Sequence, residues 1–256
     1  MMRVLHIGMV VFALAVVGCG DSTGGTGGTG GTGGTGGTGG TGGADVDASV
    51  PDVDGAVDEV DAAPTCGPGI YPCGPYGTAQ GDVIEDHVYK GFADEGWVCK
   101  KPMDMVRDTS VVRDLSFGDL YRGGGEGCEK KVLAWVMVSA GWCGPCHEEV
   151  ASTQAQYEKG AIPPGVVIID ILAETDTPGD PVTEEFAKVW ADNNKFKLTF
   201  PIFMDPEFTM GKYFDDAWPF NMLIDLETMQ IVFRQTGTNL PAVGQAMNSF
   251  LQSKGL

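Results

Sequence analysis

The residues with the most chemistry to offer are the six in Trp142-Cys143-Gly144-Pro145-Cys146-His147. Their spacing supports two unrelated reactions. Read as C-x-x-C, the pair is a redox-active dithiol. Read as C-x-x-C-H, it is the attachment signature of a c-type haem, with His147 as axial ligand. Haem needs a packed apolar pocket and usually a second axial ligand, and the chain has three histidines, His6, His87 and His147. Dithiol exchange asks for less: a first cysteine that ionises easily and a second within reach of it.

The flanking residues can position such a pair. Val132-Leu133-Ala134-Trp135-Val136-Met137-Val138 is a continuous apolar run of strand length, as in a strand buried on both faces. It leads through Ser139-Ala140-Gly141 into the motif. The residues from His147 to Lys159 are rich in helix formers, with Val150, Gln154 and Tyr157 on one face and Gly160 as terminator. Val166–Leu172 is a second buried strand. Strand, helix and strand make a βαβ unit with parallel strands and a right-handed crossover. A second helix is expected over 182–194, with Phe186, Val189 and Trp190 as its apolar stripe. A short strand over 200–204 is expected at a sheet margin, because Pro201 cannot donate to a ladder, and a short helix over 207–213. Two strands around the turn 226–229 form a hairpin, and 240–251 is the closing helix. The expected fold class is α/β: a mixed sheet with helices on both faces, the βαβ unit being followed by a C-terminal β-hairpin and helix.

A strand, then W-C-G-P-C at a helix start, then a hairpin preceded by the lone proline of Asp216-Ala217-Trp218-Pro219-Phe220, resembles the thioredoxin fold. Leu115-Ser116-Phe117-Gly118-Asp119-Leu120 and the segment 166–224 resemble a subgroup, the membrane-tethered redoxins of the cytochrome c maturation reductase type. The resemblance covers about Gly81 to Leu256. It implies that Cys143 is the nucleophile and Cys146 the resolving thiol. It implies that Glu149 exchanges protons with Cys146, whereas a solvated first-turn acid would need no such role. It also implies that Pro219 is cis and faces the dithiol, with Trp142, Trp218 and Pro219 contacting substrate. The residue before that proline is usually smaller than Trp, which leaves Trp218 either restricting access or supplying an apolar platform. His147 is expected to be an ordinary exposed helix residue.

The chain has seven cysteines. Cys66, Cys73, Cys99 and Cys128 remain once the motif pair and Cys19 are set aside. They are expected as two structural disulfides, Cys66–Cys73 across the Gly67-Pro68-Gly69 turn and Cys99–Cys128 by elimination. No C-x-x-C spacing occurs among these four, so no metal is expected, and the redox-active disulfide is the only expected cofactor.

Residues 1–18 read as a secretory signal, and Val16-Val17-Gly18-Cys19 resembles a bacterial lipobox with Cys19 lipidated. Residues 19–64 then form a tether: seven Thr-Gly-Gly repeats over 23–43, which cannot offset their folding entropy, and an acidic stretch over 45–63. A coil of this length reaches on the order of 35–40 Å. The folded domain is expected over 65–256, with 65–131 as a disulfide-bearing extension. The chain carries a formal charge of −19, and residues 64–256, with 15 bases and 27 acids, carry −12 of it. That argues against nucleic acid as partner.

The expectation is a thiol–disulfide oxidoreductase, lipid-anchored in the bacterial cell envelope at the outer membrane and facing the periplasm or the surface. It would reduce protein disulfides with electrons from an upstream redox protein. The alternatives are an oxidant or peroxidase variant of the fold, and a non-catalytic surface binding module with a static disulfide.

Overall fold

The computed structural model describes residues 66–67, 69–101, 104–123, 130–192, 197–215 and 217–256. All lie within one compact unit, Val60–Leu256. The signal segment, Cys19 and the tether lie outside the described residues.

Seven strands form one mixed sheet in the order β2-β1-β5-β4-β3-β6-β7. They are β1 Val88–Phe92, β2 Arg113–Ser116, β3 Leu133–Ala140, β4 Val166–Glu174, β5 Ile202–Met204, β6 Phe220–Asp225 and β7 Gln230–Thr236. The α-helices are α1 Gly144–Glu158, α2 Glu184–Ala191 and α3 Leu240–Ser253. β3 pairs parallel with β4 and antiparallel with β6, so the apolar run and the βαβ unit sit at the centre. The order β4-β3-β6-β7, with α1 crossing between β3 and β4 and α3 closing the chain, is the thioredoxin-like arrangement.

Alternation along β3 builds two cores. Leu133, Trp135 and Met137 point into a cluster shared with Cys143, Cys146 and Val150 of α1, Trp190 of α2 and Met247 of α3. Ala134, Val136 and Val138 point into the opposite cluster, with Tyr71, Trp97, Leu120, Met210 and Tyr213. Helices therefore cover both faces: α-helices on one, and on the other short 3-10 helices at Trp97–Cys99, Gly118–Gly123 and Thr209–Tyr213.

Three local expectations are corrected. β5 is not at the margin, because β1 pairs with its other side, Lys90 opposite Met204. Pro201 stands just before the strand and needs no donor there; its carbonyl accepts the Asp170 N–H at 3.0 Å. The extension before β3 thus adds two strands to the sheet, and Leu115 and Ser116 lie on β2. Val189 is 67% exposed, because α2 is only eight residues long and turns Ala187, Trp190 and Ala191 inward. The helix expected over 207–213 is a 3-10 helix starting at Thr209. Asp205 holds its first turn: its carboxylate accepts from Thr209 N at 2.9 Å, Thr209 Oγ1 at 3.0 Å and Met210 N at 2.9 Å.

Candidate active site

At the end of β3 the chain turns sharply into α1. Gly141 N donates to Glu174 O at 3.0 Å and Trp142 N to Thr175 O at 3.1 Å, which ties the motif loop to the end of β4. Only glycine fits at 141: a Cβ there would lie 2.3 Å from the Phe186 ring and 2.8 Å from the Thr175 backbone. Gly141→Ala is expected to cost about 1–3 kcal/mol, as overpacking does, and to lower turnover by tilting the loop. Urea midpoints of the two proteins check the first part; equal midpoints would contradict it.

Cys143 is the N-cap of α1, and Pro145 sits in the first turn, where its missing N–H costs nothing. The Cys146 N–H donates to Cys143 Sγ at 3.1 Å. In the reduced protein that amide and the helix dipole favour a thiolate at Cys143 over a thiol. The two sulfurs are joined in a disulfide, with Cα atoms 5.2 Å apart. Cys143 is 2% exposed and Cys146 fully buried.

Glu149, one turn after Cys146, is buried rather than solvated, at 1% exposure. Its Oε1 accepts from Asn221 Nδ2 at 2.8 Å, and Oε2 has no hydrogen-bond partner. Burial, with Asp170 as a nearby like charge, raises its pKa to about 7 against the opposing Asn221 bond. Asn221 lies on β6 opposite Met137. Its orientation is set by Trp135, whose indole N–H can only donate and does so to Asn221 Oδ1 at 2.7 Å. The amide NH2 must then face Glu149. Trp135, from the apolar run of β3, is the group that orients the carboxyl's partner.

A second buried carboxyl lies on β4. Asp170 is fully buried and accepts from Ser139 Oγ at 2.6 Å and Trp190 Nε1 at 2.7 Å. Desolvation raises its pKa to about 6 against both bonds. The Trp190 ring packs 4.5 Å from His147. His147 is not the exposed residue expected. Its Nε2 lies 2.8 Å from Gly141 O, and a carbonyl only accepts, so Nε2 carries the proton and clamps the loop before Cys143.

Trp142 and Trp218, expected to contact substrate, belong to an aromatic row. The Trp218–Pro219 bond is cis and immediately precedes β6. The Trp142 and Trp218 rings meet edge to face at 6.0 Å. Trp142 Nε1 donates to Glu174 Oε2 at 2.5 Å. Trp218 stacks on Phe208 at 5.3 Å and 20°, and meets Phe214 edge-on at 5.0 Å. Asn221, Asp170 and Phe208 escaped the sequence reading. A polar residue within an otherwise apolar buried strand is a usable signal for the first two; Phe208 leaves none.

Cys66 and Cys73 are joined by a disulfide with Cα atoms 5.0 Å apart, away from the motif. Cys99 is also disulfide-bonded; Cys128, its expected partner, lies outside the described residues. Among the described residues no group of three or more His, Cys, Asp or Glu side chains is placed to hold a metal ion.

No protein-family model matches the chain, and no curated protein matches it. Solved structures do match. The exposed lipoprotein thioredoxin of Streptococcus pneumoniae is 19% identical over 54% of this chain and 92% of its own, with a TM-score of 0.41. A DsbF homologue from Corynebacterium diphtheriae is 12% identical over 68% of this chain and 90% of its own, with a TM-score of 0.44. The reduced 2-Cys peroxiredoxin of Plasmodium vivax is 9% identical over 69% and 99%, with a TM-score of 0.49. The thioredoxin-like fold rests on the chain's own strand order and on the place of its two cysteines.

Proposed function

We propose that the protein is an extracytoplasmic thiol–disulfide oxidoreductase that reduces protein disulfides through Cys143 and Cys146. The observation that carries the reading is the Cys146 N–H on Cys143 Sγ at the head of α1, with the half-satisfied carboxyl of Glu149 one turn behind. In the reduced protein the Cys143 thiolate attacks a client disulfide. It forms a mixed disulfide and expels one client thiolate. Cys146 gives its proton to the Glu149 carboxylate and attacks Cys143 Sγ, which expels the second client thiolate and closes the protein's disulfide. Two electrons pass from the dithiol to the client. An upstream redox protein returns them. A lipid on Cys19 and the 19–64 tether would hold the domain at the outer membrane of the bacterial envelope, facing the periplasm or the surface.

A second reading, a surface binding module with a static disulfide, draws on the 2% exposure of Cys143. Insulin reduction separates the two. The wild-type chain is expected to turn insulin over with dithiothreitol as reductant, and Cys143→Ser to fall to the uncatalysed rate. Equal rates would leave the static reading.

A further inference from the structure

Resting on the oxidoreductase reading, the aromatic row beside the disulfide carries a statement about the client. Phe208 lies across Trp218 from Trp142 in this row. It is 37% exposed, as is Trp142, and its ring lies flat against Trp218, the residue before the cis proline. Bulky exposed rings are ordinarily placed by chance of packing, but this one is held. Phe208 adopts φ 52 and ψ 45, a left-handed conformation that bulky side chains rarely take. Asp205 pins the backbone on both sides of it: its carbonyl accepts the Phe208 N–H at 3.0 Å and its carboxylate accepts the amides of Thr209 and Met210. Gly211 leaves room for the ring, since a Cβ there would lie 2.7 Å from it. The fold therefore maintains an unfavourable backbone at a residue whose ring is packed on Trp218 and Phe214 yet partly exposed, two ring contacts away from the residue that precedes Cys143.

The surroundings are acidic. Glu207 is exposed beside Phe208, and Glu174, hydrogen-bonded to Trp142, is followed by the exposed Asp176. Lys212, the cation nearest in sequence to Phe208, is bound to Glu85. An apolar row that ends beside the Glu174 carboxylate complements a cationic segment with an apolar side chain, and aromatic anchors are where interface energy concentrates.

We propose that Phe208 is a specificity-determining residue that selects client segments in which the disulfide cysteine is flanked by a large apolar side chain and a lysine or arginine. The apolar side chain rests on the Phe208–Trp218 face, and the cation lies against Glu174 at the Trp142 end of the row. The client cysteine is then presented to Cys143.

The test uses the reduced full-length protein and three disulfides. The first is a peptide with phenylalanine and lysine flanking a cysteine capped by glutathione. The second is the same peptide with serine and glutamate as flanks. The third is bis(2-hydroxyethyl) disulfide, which has no flanks. Wild type is expected to reduce the first peptide about tenfold faster than the second, within the range of one apolar contact. Phe208→Ala is expected to abolish that preference while the hydroxyethyl disulfide rate stays within about twofold, and Phe208→Leu to retain most of it. Gly211→Ala, which displaces the ring without replacing it, should weaken the preference in the same sense. A preference that survives Phe208→Ala would overturn the proposal, as would equal losses on all three disulfides. A wild-type protein that reduces none of them would overturn the oxidoreductase reading instead.

Discussion

Replacing Cys146 with serine is expected to turn the protein into a trap for its clients. Attack by Cys143 does not need the second thiol. The amide that donates to Cys143 Sγ belongs to the backbone of residue 146 and survives the substitution. The mixed disulfide therefore still forms. What is lost is its intramolecular resolution, a step that benefits from the effective molarity of an oriented neighbour, up to about 10⁵ M or more. Insulin turnover is expected to fall by about 10³-fold or to background, since external thiols at millimolar concentration cannot replace that proximity. At the same time a dithiothreitol-labile adduct with Cys143 should accumulate and be visible by mass spectrometry. Turnover within twofold of wild type would remove Cys146 from the mechanism. Loss of turnover with a free, reactive Cys143 and no adduct would remove the attack itself.

The second large effect concerns Glu149. Its native pKa of about 7 lies above the 4.5 of an unperturbed glutamate, chiefly because the carboxyl is buried. Between those values the unfolded chain gives up the proton and the native protein does not. The contribution of Glu149 to native stability is therefore complete below pH 4.5, declines as pH rises towards 7, and is lost above it. The loss is on the order of 3 kcal/mol from 1.36 kcal/mol per unit. Asp170, raised from 3.8 to about 6, adds a decline in the lower part of the same window. Glu149→Gln cannot ionise and keeps an oxygen to accept the Asn221 N–H. It should flatten the upper part of the decline and be the more stable protein at pH 8, measured as urea midpoints on the oxidised form. Stability and activity should then part company. Without a carboxylate to take the Cys146 proton, turnover near neutral pH is expected to fall by about 10²-fold, the lower end of what a positioned base contributes. A variant with the wild-type pH profile in both measurements would return Glu149 to the role of a packing residue.

The two variants distinguish parts of one site. Cys146→Ser stops the cycle after the first bond exchange, whereas Glu149→Gln slows the second. The adduct should therefore be abundant in the first and transient in the second. Buried carboxyls that weaken the native state in exchange for a proton near neutral pH are common at reacting centres. Glu149 and Asp170 both have this character, but only Glu149 lies on the helix of the dithiol. Asp170 is occupied by Ser139 and Trp190 and reaches the motif through the Trp190–His147 ring contact.

Much of this was legible from local residues. The apolar run of β3, the helix formers after the motif and the hairpin around 226–229 each declare themselves within a few residues. Periodicity and turn chemistry act over that range, and the place of Cys143 at the start of α1 follows from the strand before it and the helix after it. Pairing between distant segments was not legible. Nothing near Pro201 announces that β1, more than a hundred residues earlier, covers the outer side of β5. A proline before a strand is compatible with an edge and with a centre alike. Val189 misled because eight residues of helix admit more than one apolar stripe, and packing against the sheet chose the one through Ala187 and Trp190.

The sequence by itself determined the candidate reacting groups: two thiols, their spacing, and an acid one turn behind them on the same helix. The tertiary structure alone decided what surrounds those atoms. It brought Asn221 and Trp135 from two strands to orient Glu149, and set Asp170 and Trp190 behind His147. It also stacked Phe208 on Trp218. The division has a physical cause. Bond-forming groups on one helix are related by its fixed pitch, which a short stretch of sequence specifies. The burial that raises a pKa and the rings that pack beside the disulfide depend on contacts between elements far apart in the chain, and those exist only once the sheet has closed.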